Sequence, residues 1–263
     1  MNRVFRAEWR KLRRPTLFYG TLIAVMGVTA LVTSLLFLMI DSGNGNSREG
    51  QLINRQVLSS FKGITIGFSG SAGLLGLVAL CVFASQTAQE YTYGTLRNLL
   101  VRQPKRMTLL AGKFISMALF SLISVILSAA VSIGLAFALA ERAKVSSELW
   151  TTADARTALI HTFINVFLSV IAFGTIGMIL GLLLRSPISA ISIGVAWLLV
   201  IETILSAVVK NSAQWMPGQL INSIASGGDF NASYSHAITT LLGYLAFGVL
   251  VVAVLFRHRD VSN

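Results

Sequence analysis

Long apolar runs separated by short polar breaks set the pattern of this chain. Six runs reach the length of about 20 residues that a helix needs to cross a bilayer. They lie at roughly 17–40, 64–86, 110–140, 158–184, 188–209 and 237–256. A segment in lipid must satisfy its backbone hydrogen bonds internally, so the pattern predicts six transmembrane helices. Ahead of the first run, Val4, Phe5, Trp9 and Leu12 recur at helical spacing, with Arg3, Arg6, Arg10, Lys11 and Arg13 around the other face. That is the signature of a short helix lying in the interface, with Trp9 at headgroup depth, and Pro15 breaks it before the first span. Residues 1–40 are expected to stay uncleaved, because this apolar run is longer than a signal core and no small-residue cleavage site follows Ile40.

The polar breaks differ in kind. Asp41 to Arg48 is rich in Gly, Asn and Ser, and residues 141–156 form a second polar loop. The fourth and fifth spans are joined only by Arg185-Ser186-Pro187, a tight hairpin whose arginine is expected to anchor at the headgroups. Between the fifth and sixth spans, Trp215, Met216, Pro217, Leu220, Ile221 and Ile224 make residues 210–236 too apolar for a solvated loop. Short helices dipping back toward the membrane are predicted there. The break from Glu90 to Arg106 is basic and far too polar for lipid, and it predicts a short helix from Tyr93 to Leu100. The chain reads as one all-α integral membrane domain over residues 1–263, with no room for a soluble catalytic domain.

Composition agrees. Hydrophobic residues make up 54% and charged residues only 12%, about half the charge of a soluble domain. The net charge of +11 would fit nucleic acid, but its distribution explains it better. With the amino terminus inside, 14 Lys and Arg fall on the cytoplasmic side and seven outside, while acids run three inside and six outside. This follows the positive-inside rule and assigns both termini to the cytoplasm. The basic charge then serves topology and anionic lipid headgroups, and no nucleic-acid partner is needed.

Glycines recur at intervals of three or four on the second span (Gly63, Gly67, Gly70, Gly73, Gly76) and on the fourth (Gly174, Gly177, Gly181). Such spacing lets helix backbones approach closely, within one bundle or between subunits, with the bundle favoured. Candidate chemistry is sparse. No phosphate-cradling Gly-x-x-x-x-Gly-Lys-Ser/Thr loop exists, so ATP hydrolysis by the chain itself is not expected. Gly67-Phe68-Ser69-Gly70 reproduces the motif of rhomboid intramembrane proteases, with His161 and His236 as the candidate bases for Ser69. There the motif sits on the fourth span, here on the second. The three histidines and the lone Cys81 are too scattered for a metal site. Glu202 is the one acid inside a span, where ionisation is costly unless paired or hydrated. With His161 and Asn165 on the fourth span it is a candidate polar cluster along a substrate route.

Glu90-x3-Gly94-Thr95-Leu96-x2-Leu99-Leu100, followed by Arg106, Leu109 and Gly112-Lys113, resembles the first cytoplasmic loop of ABC transporter permeases of the type-2 exporter class. Pro104 stands closer to Arg106 than in many of those proteins. They also open with an interfacial helix similar to Glu8-Trp9-x-Lys11-x2-Arg14 and carry short re-entrant helices before the sixth span. The resemblance implies a permease moving an amphiphilic or peptide-like substrate (an antibiotic, drug, bacteriocin or lipid-like molecule) across a bacterial plasma membrane. It implies an ATP-binding partner subunit, which holds ATP and Mg, and a second permease chain, identical or paired. Tyr93 to Leu100 would be the coupling helix, opened by Gly94-Thr95, with Leu96, Leu99 and Leu100 as apolar knobs. Arg97, Arg102, Lys105 and Arg106 would meet acidic or headgroup partners. A non-transporting immunity or sensor subunit of similar fold is the alternative, and a rhomboid-like protease the remote one.

Overall fold

A computed structural model describes residues 2–40, 54–102, 105–230 and 232–258. Every regular element among them is helical, and six helices are long and apolar enough to cross a membrane. The protein is an all-α membrane protein. Helix α1 (Asn2–Leu12) is the amphipathic segment and α2 (Pro15–Leu38) the first span. Pro15 takes the first position of α2, where its missing N–H would have had no partner anyway. A short α3 (Arg55–Ser59) leads into α4 (Gly63–Thr92), then α5 (Thr95–Arg102) and α6 (Arg106–Ala140).

The second and third spans outrun their apolar stretches. With 30 and 35 residues, α4 and α6 are about 45 and 52 Å long at 1.5 Å per residue. The hydrocarbon layer is only about 30 Å thick. No proline interrupts the extra turns, so helix α4 carries Gln86, Gln89 and Glu90 out of the apolar zone, and α6 starts with Arg106 and brings Lys113 to the same end.

Helix α7 (Ala153–Leu184) packs along α4, and the glycines explain how. A side chain at Gly76 would collide with the Phe173 ring, and one at Gly177 with the Leu80 carbonyl. At Gly181 a Cβ would lie 2.8 Å from the Ala84 oxygen. These glycines are consumed inside one bundle, the first of the two uses their spacing allowed.

The fifth span is not a uniform helix. It runs as α8 (Pro187–Ala196), a π-helical turn (Trp197–Ile201) and α9 (Glu202–Val208). Such turns cluster at functional sites, where one extra residue re-aims the side chains that follow. Here Glu202 is fully buried. The apolar segment that follows forms α10 (Pro217–Ser226), folded back as expected, with Leu220, Ile221 and Ile224 buried. The Ser169 hydroxyl on α7 donates to the Ile221 carbonyl at 2.9 Å, which ties α10 to the bundle. Helix α11 (Tyr234–His258) is the sixth span. At the end where α3 lies, the Trp150 indole donates to the Leu58 carbonyl at 3.0 Å, edge-on to Phe37 and Phe137.

Candidate functional site

At the other end of the bundle, Tyr93 closes α4 by donating its N–H to the Gln89 carbonyl at 2.9 Å. Gly94 then takes φ +63°, a left-handed conformation open to glycine without strain. The chain restarts as α5 at Thr95, two residues later than the sequence pattern predicted, because Tyr93 and Gly94 are used in the turn.

Within α5, Leu96 faces the other way from expectation. Leu96 is 4% exposed and belongs to a core with Leu12, Leu110, Met117 and Phe256. Leu99 is partly buried. Leu96 is therefore not an outward knob, because that stripe of α5 pins the helix to its own bundle. What this end displays instead is Tyr93, Val101 and Met107, at 74%, 79% and 52% exposure. Thr95 is exposed, with its hydroxyl 3.5 Å from the Glu90 carbonyl. The side chains of Arg97, Leu100 and Arg102, and Pro104 entirely, lie outside the described residues.

Beneath α5 four charges meet, three of them withdrawn from solvent and Lys11 partly exposed. Lys113 Nζ, on a side chain 1% exposed, lies 2.7 Å from Glu90 Oε1 and 3.0 Å from Glu8 Oε2. Its third donor reaches the Gln86 carbonyl at 3.0 Å. Lys11 Nζ completes the ring at 2.6 Å from Glu8 Oε1 and 2.8 Å from Glu90 Oε1. Two carboxylates thus face two ammonium groups, with no net charge. An ammonium offers three donors, and Lys113 uses all three, which is what its burial demands. Burial pushes the Glu8 carboxyl up, but the Lys113 and Lys11 ammonium groups outweigh it and hold Glu8 below the usual carboxylate range. Burial likewise works against the charge of Lys11, and Glu90 with Glu8 more than restores it, so Lys11 sits above its ordinary value.

This cluster joins three elements: α1 through Glu8 and Lys11, α4 through Glu90, α6 through Lys113. Packing reinforces it. Gly112 leaves room for Val4, since a Cβ there would lie 2.7 Å from Val4 Cγ1, and the Ser116 hydroxyl is 3.3 Å from the Phe5 carbonyl. Phe5 and Trp9 stack at 6.3 Å on α1, and Arg14 is exposed at the elbow into α2. Sequence reasoning picked out Glu8, Lys11 and Glu90 but left Lys113 as part of a motif. The signal available was a lysine in the first turn of an apolar run, which has to find carboxylates.

Two arginines flank the cluster. Arg106 donates to the Phe256 carbonyl at 2.7 Å, in the last turn of α11, where carbonyls lack helical partners. Arg185 holds φ +56° after α7 and lays its guanidinium 5.6 Å from the Tyr91 ring centroid. Arg106 thus meets a backbone carbonyl of the protein, while Arg185 remains an exposed residue.

The remaining candidates are separate. Glu202 accepts from the Trp197 indole at 2.9 Å and from the N–H groups of Gly218 and Gln219 at 3.1 and 3.2 Å. It caps α10, whose first N–H groups have no partner within the helix. Asn165 instead accepts from the Tyr234 hydroxyl at 2.7 Å, and His161 is exposed. Among the described residues no hydrogen bond links His161, Asn165 and Glu202, so the expected cluster is not assembled. The Ser69 hydroxyl donates to Ile66 on its own helix at 3.2 Å, and the His236 ring bonds the Gln214 carbonyl at 3.1 Å.

No curated protein matches this sequence. Residues 53–262 match the family described as "Protein of unknown function (DUF2705)", a stretch that holds Glu90 and Lys113 but not Glu8 and Lys11. That match takes in well over half of the 263 residues, and the chain belongs to the DUF2705 family.

Proposed function

We propose that this chain is the membrane-spanning permease subunit of an ATP-driven bacterial exporter, with α5 as the element that meets a separate ATP-binding subunit. Catalysis belongs to that subunit, which holds ATP and Mg, and a second permease chain completes the transporter. Both termini and α5 face the cytoplasm. The substrate is amphiphilic or peptide-like, of the antibiotic, drug, bacteriocin or lipid type. The observation that carries the reading is the mounting of α5. It hangs from α4 by the Gly94 turn, is pinned by Leu96, and leaves Tyr93, Val101 and Met107 open. Directly beneath it, the charge cluster ties α1, α4 and α6 together.

A push on α5 reaches three elements at once through short, charge-assisted contacts, which are among the stronger hydrogen bonds in proteins. ATP can bias such a switch only through its differential affinity for the two states of the assembly.

Affinity purification of the tagged chain from native membranes tests this. A stoichiometric ATP-binding subunit is expected, and Val101→Glu should abolish its retention while leaving the thermal midpoint of the chain unchanged. A chain that purifies without any nucleotide-binding partner, or a Val101→Glu variant that keeps it in full, overturns the proposal.

A further inference from the structure

Helices α8 and α11 both pack on α7, and between them lies a crevice of about 310 Å³. Ile179 of α7 lines its floor, Ile193 and Trp197 one wall, and Leu241, Tyr244 and Gly248 the other, with Pro217 at one end. It lies within the fifth and sixth membrane spans, whose most apolar stretches are only 22% and 11% buried by the protein. The medium it opens to is therefore hydrocarbon.

The lining decides what fits. Only Trp197 and Tyr244 carry polar side-chain atoms there. Both are committed elsewhere: the Trp197 indole to Glu202 at 2.9 Å, the Tyr244 hydroxyl to the Trp215 carbonyl at 3.2 Å. No side chain in the crevice offers a free donor, and the Tyr244 oxygen alone is too little to hold water, ions or polar solutes, which need several polar partners. Its form is also held open. Gly194 and Gly248 contribute no side chains, and a Cβ at Gly248 would lie 2.8 Å from Ile179. The Trp197 ring is fixed by Glu202, which also caps α10. From Leu241 to Gly248 the wall runs for roughly 10 Å at 1.5 Å per residue.

We infer that this crevice is a binding site for one acyl chain of a membrane phospholipid, recognised by shape and burial and not by its headgroup. The site is independent of the transport reading. The bound chain completes the packing between α8 and α11, which the protein by itself leaves open.

Native mass spectrometry of the detergent-purified full chain, with phosphatidylglycerol or phosphatidylcholine of the same acyl composition added, tests this. Wild type is expected to keep one lipid per chain, with equal occupancy for the two headgroups. Ile193→Trp and Leu245→Trp, which fill the crevice from opposite walls, should each lower occupancy about tenfold, the loss expected when two methylenes' worth of contact is displaced. Phe247→Trp changes an exposed residue of α11 outside the crevice and should keep the lipid. Circular dichroism melting checks that all variants fold. Equal retention by all of them, a clear headgroup preference, or a lipid-free dimer covering this face overturns the inference.

Discussion

Glu90 and Glu202 are both acids withdrawn from solvent, at 6% and 0% exposure, yet they are neutralised by different means. Glu90 meets two ammonium groups, from residues 79 positions before it and 23 after it. Glu202 meets no lysine or arginine in its hydrogen bonds. It takes an indole N–H five residues back and two backbone N–H groups 16 and 17 residues on. The first arrangement pins elements distant in sequence into one register. The second fixes a local corner, with the partial positive charge of a helix N-terminus in place of a cation.

The two should fail differently. Replacing a buried ion pair by apolar groups is often neutral, but removing one partner strands a charge. Lys113→Ala, which leaves Glu8 and Glu90 sharing only Lys11, should therefore cost about 3–5 kcal/mol. Denaturant unfolding in detergent would measure it, and a loss below that of any Glu202 variant would reverse the ranking of the two sites. Next in size is Glu202→Ala, at about 2 kcal/mol, the scale of a lost cap and charge-assisted hydrogen bonds. Hydrogen exchange should show the damage confined to α10, and Glu202→Gln should recover part of it by keeping one acceptor. Protection lost in α1 instead would mean that the corner is not local.

A smaller effect comes from pH. Glu8 is held below its ordinary value of 4.5, so its contribution is complete above that pH and is lost as pH falls through the lowered value. Lys11 is raised above 10.5, so its contribution is complete below that pH and is lost as pH climbs through the raised value. The tether of α1 should thus hold level between these limits. A spin label at the exposed Arg6, in a Cys81→Ser background, should report constant mobility from pH 6 to 9 and release in stronger acid. Release near pH 6 would disprove the balance of charges described. Smallest of all, Tyr93→Ser should change stability by no more than about 0.5 kcal/mol, as exposed sites usually do, and melting measurements would detect any buried role.

Much of this architecture was legible in the chain. Six spans, the amphipathic first helix and the apolar segment folded back as α10 follow from periodicity and length, which act locally. The glycine spacing foretold close helix approach, though not which helices would meet. The direction of Leu96 was misjudged, because an apolar residue on a short helix fits its own bundle and a partner equally well. Only the observed burial of Leu96 distinguishes them. His161, Asn165 and Glu202 looked like neighbours by depth in the membrane. Depth leaves the rotation of each helix free, and the π-helical turn at Trp197 helps set where Glu202 points.

What the sequence determined by itself is the material: apolar lengths that must become helices in lipid, and charges that must lie outside the spans or find partners. What only the tertiary structure decided is the pairing. Glu8 and Lys113 are 105 residues apart, and nothing in their local pattern specifies a contact. It arises because α4 and α6 outrun the bilayer at the same end and α1 lies across them, bringing four charges into a largely buried place where each must be answered by another.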